Sequence, residues 1–151
     1  MLIKILVVIA SLGVLVIAAI AAFNPQETSR KDLDTVRENY SKSFVGASVE
    51  YYKASGEYPW NTSAKPIATQ LSSMGEVIGI LENEKFLGAG YINHPDLDKI
   101  FVTAEEKAVY ACFLPSSKSL RLHAEDDGFR KDASRYCLED DCYRCVSSNI
   151  E

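Results

Sequence analysis

The hydrophobic pattern of this chain changes period three times. Residues 5–23, ILVVIASLGVLVIAAIAAF, are apolar on every side, with Ser11 the only polar residue. As a helix at 1.5 Å per residue, these 19 residues span about 28 Å, close to the roughly 30 Å hydrocarbon core of a bilayer. The run predicts a single transmembrane helix. From residue 28 to 54 the pattern turns amphipathic. Leu33, Val36, Tyr40, Phe44, Ala47 and Tyr51 recur at spacings of three and four and form one stripe, while Arg30, Lys31, Asp34, Arg37, Glu38, Lys42 and Glu50 fall mostly on the other sides. Asn24 can cap this second helix with Glu27 answering three residues later, and Pro25 marks a kink between the two segments. Gly56, followed by Pro59, stops the helix. Tyr58 and Trp60 are read as packing aromatics.

A weaker helical stripe follows over 66–87, carried by Ile67, Leu71, Met74, Ile78 and Leu81 and diluted by Gly75 and Gly79. Turns are predicted at 87–90 and at His94-Pro95-Asp96. From residue 100 the period is that of strands: 100–104, a turn at 105–107, a second strand over 108–114, a break at Pro115, and a third strand at 119–123. Helix first and antiparallel meander afterwards is an α+β order. The chain divides into residues 1–4, a transmembrane helix at 5–23, and one exported domain at 24–151. Within that domain lie the amphipathic helix (24–55), a helix and loop region (56–99), antiparallel strands (100–123) and a Cys-rich tail (124–151).

Charge sharpens this picture. The net charge is −5, and taking away the single positive charge of Lys4, the only charged residue before Glu27, leaves −6 on the remainder. An acidic domain without a dense Lys/Arg cluster does not bind nucleic acid through phosphates. Lys4 before the apolar run favours a cytoplasmic N-terminus, an argument that Arg30 and Lys31 on the far side weaken. The competing reading is a cleavable signal peptide, with Ala19 and Ala21 in an A-x-A arrangement before Ala22.

Cys112, Cys137, Cys142 and Cys145 all lie in the segment placed outside the membrane, where an even number implies disulfides. Three pairings are open. The favoured one joins Cys112 to one tail cysteine, stapling the tail to the sheet, and leaves the other two to close a small loop. Four thiolates binding zinc, and a redox pair Cys142-x-x-Cys145, are the alternatives. Two acidic clusters flank the tail, Glu125-Asp126-Asp127 and Glu139-Asp140-Asp141. Glu125, Asp126, Asp127, Asp140 and Asp141 are candidate calcium ligands, since calcium takes six to eight oxygens; solvated acidic loops are the plainer reading. No other cofactor is expected. Neither His94 nor His123 sits in a recognised catalytic arrangement, and no hydrolase, metalloprotease or nucleotide-binding signature occurs, so no enzymatic activity is expected.

The apolar stretch at 6–10, the Asn24-Pro25 turn, Arg-Lys-Asp-Leu at 30–33 and Tyr-Tyr-Lys-Ala-Ser-Gly-Glu-Tyr-Pro at 51–59 together resemble type IV pilins and the pseudopilins of type II secretion. The resemblance covers about the first 60 residues. It implies a long N-terminal helix packed on a small antiparallel sheet with a variable C-terminal loop. It also implies a filament subunit that assembles through the helix bearing Leu6, Val7, Val8, Ile9, Leu12, Val16 and Pro25. Its partners are then other copies or other pilin subunits, and its site is the inner membrane before assembly and the extracellular space after it. Some pseudopilins hold calcium in the C-terminal loop, which is the resemblance's contribution to the calcium expectation. One departure is plain: aligned on residues 6–10, Lys4 stands where the family has a glutamate. That favours the alternative, a membrane-anchored or secreted binding domain that does not polymerise.

Overall fold

A computed structural model describes residues 13, 25–60, 65–105, 108–121, 137–138 and 141–149. The apolar run at 5–23, apart from Gly13, lies outside them. Among the described residues no helix is long and apolar enough to cross a membrane.

The amphipathic stretch forms one helix, α1 (Pro25–Ser55), of 31 residues. Pro25 sits in its first turn, where its missing N–H costs nothing, Glu27 lies at the positive end and Lys53 at the negative end. The helix stops where the sequence predicts. Gly56 takes φ +79°, a left-handed conformation that glycine adopts without a Cβ clash, and its N–H donates to the Tyr52 carbonyl at 2.7 Å. Tyr58 then stacks on Trp60 with ring centroids 4.6 Å apart, and Trp60 is buried.

The 66–87 region departs from its predicted helical stripe. Ile67 is 77 % exposed, and Thr69–Gln70 form a short strand, β1, followed by a 3₁₀ turn at Leu71–Ser73 and the helix α2 (Gly75–Asn83). Two residues of strand carry no readable period, so sequence shows only the helical spacing of Leu71, Met74, Ile78 and Leu81, all of them buried. Two further 3₁₀ segments, Tyr91–Asn93 and Pro95–Lys99, lead into the sheet. Gly90 opens the first with φ +84°, and His94 caps the second by accepting the Asp96 N–H on Nδ1 at 3.2 Å.

The sheet has four antiparallel strands in the order β1, β2 (Ile100–Ala104), β3 (Ala108–Phe113), β6 (Arg144–Asn149). Strands β2 and β3 match their predicted bounds within a residue. The third strand expected at 119–123 does not form at its described positions: residues 118–121 make a helical turn, with the Arg121 N–H donating to the Ser117 carbonyl at 3.2 Å. The place beside β3 goes instead to β6, from the segment read as a Cys-rich tail. Ahead of β6 lies a two-stranded ribbon, β4 (Cys137–Leu138) with β5 (Asp141–Cys142).

The core lies between α1 and the sheet. Alternation along the strands turns Ile100, Val102 and Ala104 of β2 and Val109, Ala111 and Phe113 of β3 inward, where they meet Phe44, Val45 and Ala47 of α1 and Ile78 and Leu81 of α2. The α+β class, with a long helix on an antiparallel sheet, therefore stands.

Candidate functional site

The N-terminal half of α1 turns a different face to the domain than its apolar stripe predicts. Leu33, at the head of that stripe, is 42 % exposed, while Asp34, assigned to the solvent side, is wholly buried. The reason is the loop that leaves β3. Pro115 breaks the strand, and the backbone beyond it offers N–H groups with no ladder partner. The Asp34 carboxylate accepts two of them, from Ser116 at 2.7 Å and Ser117 at 2.8 Å. One turn along, Arg37 donates to Ser116 Oγ at 2.8 Å and approaches both Asp34 (3.7 Å) and Asp96 (3.8 Å). Two turns before Asp34, Glu27 Oε1 accepts from the Lys118 N–H at 2.8 Å and the Ser119 N–H at 3.4 Å. It thereby caps the helical turn at 118–121 with a carboxylate, the group such an end favours. Glu27 and Asp34 stand seven residues apart on one face and grip the same loop. We call this contact the clasp.

A second polar contact ties the other end of the chain to α1. Arg144 of β6 donates Nε to Glu38 Oε2 at 3.2 Å, and Lys42 reaches the same carboxylate at 2.7 Å. Burial pushes the Glu38 carboxyl upward, but the hydrogen bonds from Lys42 and Arg144 and their charges outweigh it, and its pKa lies below the usual value. Further along α1 the Tyr91 hydroxyl donates to the Tyr40 carbonyl at 2.6 Å, and burial, with a smaller effect from Tyr40, holds that phenol well above its usual range. The His94 ring lies against that of Tyr40, centroids 4.0 Å apart and planes tilted by 34°. Beside these rings, Asn39, Tyr40 and Ser43 and the 88–91 turn enclose an open groove of about 310 Å³.

Cys112 and Cys145 form a disulfide directly across the β3–β6 register, facing away from α1. This selects one of the tail cysteines left open by sequence. It also corrects two alternatives: with Cys112 and Cys145 bonded to each other, neither a four-thiolate zinc site nor a Cys142–Cys145 redox pair can form. Cys137 and Cys142 face each other in the β4–β5 register. The bonded loop spans a separation of 33 residues, for which the chain-entropy model gives about 3 to 4 kcal/mol.

No family model, no curated protein and no solved structure matches this chain. Its chemistry must be read from its own residues. Of the sequence-derived candidates, Pro25 opens α1 and is exposed. Leu6, Val7, Val8, Ile9, Leu12 and Val16 lie outside the described residues, as do Glu125, Asp126, Asp127 and Asp140; Asp141 is placed by its backbone in β5. Among the described residues no three His, Cys, Asp or Glu side chains gather as a metal site would require. His94 serves as a cap and as a ring contact of Tyr40.

The residues that sequence reasoning missed are Asp34, Glu27 and Arg144. A usable signal exists for the first two: acceptors seven residues apart on a helix, paired with a Pro-Ser-Ser-Lys-Ser loop whose backbone N–H groups they accept. The groups gathered here hold, cap and orient. None is arranged as a nucleophile beside a base, and the arrangement suits a joint between a helix and a domain.

Proposed function

We propose that the chain is a structural subunit of a type IV pilus-like or pseudopilus filament, assembling through its N-terminal apolar helix. The observation that carries this reading is the way α1 is mounted. A 31-residue helix starts two residues after a 19-residue uncharged run, and its first turns, from Pro25 to Leu33, are exposed except at Glu27, while the rest lies on the sheet. A helix mounted this way suits a protein that presents one rigid rod to neighbours and one disulfide-bonded face outward. On this reading residues 5–23 hold the chain in the inner membrane before assembly and pack against other subunits afterwards. The acidic domain faces the exterior. The work is assembly, and no catalytic step is invoked.

The test is the intact mass of the native protein, reduced and non-reduced, from membrane and from sheared-surface fractions. The expected result is a chain that includes residues 5–23 in both fractions. A chain that begins near Ala22 removes the anchor and the filament reading with it, leaving a secreted domain.

Lys4 favours a second reading, a membrane-anchored binding domain that does not polymerise. That reading expects the protein in the membrane fraction alone. Restoration of the surface fraction by Lys4→Glu would show that this position is what prevents assembly.

A further inference from the structure

Ile67 is the most exposed large hydrophobic residue among those described, at 77 %. The backbone holds it out. Ala68, the next residue, takes φ +47°, a left-handed conformation that is costly for a residue with a Cβ. Three hydrogen bonds fix this hook. The Ala68 N–H donates to Thr103 Oγ1 at 3.0 Å, the Ile67 N–H to Thr69 Oγ1 at 3.3 Å, and the Ala104 N–H to the Pro66 carbonyl at 2.9 Å. Strain that surrounding bonds keep in place points to a use, and its product here is a projecting apolar side chain.

Beside the projection lies a recess. Pro66 and Thr69, which bracket Ile67 and Ala68, line an open cavity of about 500 Å³. Trp60, Met74 and Val77 line it too, and these three are buried, as is Pro66, so its deeper wall is apolar. Glu76, exposed in the first turn of α2, stands at its mouth, and Lys65, also exposed, precedes Pro66. Neither makes an ion pair among the described residues. One face thus carries a projection and a recess, a cation and an anion, and is complementary to itself.

We propose that two copies of the chain pair through this face about a twofold axis. Ile67 of each copy enters the cavity of the other, and Lys65 of each meets Glu76 of the other. A twofold axis makes every contact twice. A lone projecting side chain needs that doubling, since a single insertion buries too little apolar area to hold two domains together. Charge selects the occupant. The chain carries a net charge of −5, so two copies repel over most of their surface, and the crossed Lys65–Glu76 contacts are where they attract. An acidic partner would oppose Glu76 and a basic one Lys65, whereas a second copy satisfies both. The pairing uses no residue of 5–23 and holds whether or not the chain forms a filament.

The test replaces Ile67 with the photoreactive residue p-benzoylphenylalanine in the full-length chain, in the cells that make it. Illumination is followed by mass analysis of the adducts. Lys65→Glu and Glu76→Lys are added singly and then co-expressed as two chains. The expected result is a two-chain adduct attached at Trp60 or within 74–77 of the second copy. Either reversal alone should lower its yield about tenfold, because two symmetric contacts turn from attraction to repulsion. Co-expression should restore the yield in adducts that hold one chain of each kind, since both contacts then join opposite charges, and that recovery shows that both variants fold. Adducts with lipid or another protein alone, attachment elsewhere on a second copy, or no adduct overturn the proposal. So do single reversals without effect and a mixture that does not recover.

Discussion

From Tyr40 to Tyr52, α1 is held by side chains that water expels: Phe44 and Val45 are all but sealed in the core, and Tyr51 packs edge-on against Phe86. From Glu27 to Glu38 the same helix is held by side chains that water solvates well, each facing a donor from a loop or from the last strand. The two halves therefore differ in kind. Burial of apolar area is non-directional and tolerates small shifts. A carboxylate set on two backbone N–H groups fixes register and rotation, and once one partner is lost the others are left buried and unpaired. The first half sets how strongly α1 adheres, the second how it is oriented.

The largest effect that would break this comparison comes from Phe44→Ala. It opens a cavity at a site with no solvent exposure and is expected to lower global stability by about 3–5 kcal/mol, read from urea unfolding through the fluorescence of Trp60, the single tryptophan. Asp34→Asn comes next. It turns one acceptor into a donor against the Ser116 and Ser117 N–H groups, at a cost of about 1–3 kcal/mol. Its signature is local: amide exchange at 116, 117 and the first turns of α1 should quicken while the amides of 44–52 keep their protection. Equal quickening in both halves would show that they open as one unit and would remove the distinction.

A smaller effect separates the halves by pH. Glu38 has a depressed pKa, so its contribution is present above the ordinary glutamate value and is lost as pH falls through the lowered one. Glu38→Gln should therefore cost stability at neutral pH and little in acid, by less than about 1 kcal/mol, since the carboxylate and Lys42 are partly exposed. Leu33→Ser should sit at the bottom of the scale, within about 0.5 kcal/mol of the parent chain, because the domain leaves that side chain uncovered. A cost above 1 kcal/mol would mean that the stripe is covered within a single copy.

Much of the fold was legible because strong local signals agreed. Gly56 ended α1, alternation from Ile100 to Phe113 bounded two strands, and the spacing of Phe44, Ala47 and Tyr51 identified a buried side. What stayed hidden were elements whose cause is distant. The strand β6 reads Arg-Cys-Val-Ser-Ser-Asn, with one aliphatic residue and no period; it forms because β3 offers an open edge and Cys112 lies opposite Cys145. Asp34 looked like a solvent residue because an amphipathic pattern assigns charges outward, and only a loop some 80 positions later makes burial favourable. The helical turn at 118–121 reads as a strand in sequence because its cap, Glu27, lies some 90 residues away. The metal expectation on the acidic clusters falls chiefly on positions outside the described residues.

The clasp also decides how the molecule bears load. Tension applied along α1 from Pro25 does not reach the hydrophobic core first. It pulls on the bonds from Lys118, Ser116 and Ser117 to Glu27 and Asp34, and these lie on a loop continuous with β3, which the Cys112–Cys145 bond joins covalently to the far strand. Force entering the rod is thus passed through short polar links into a cross-linked sheet.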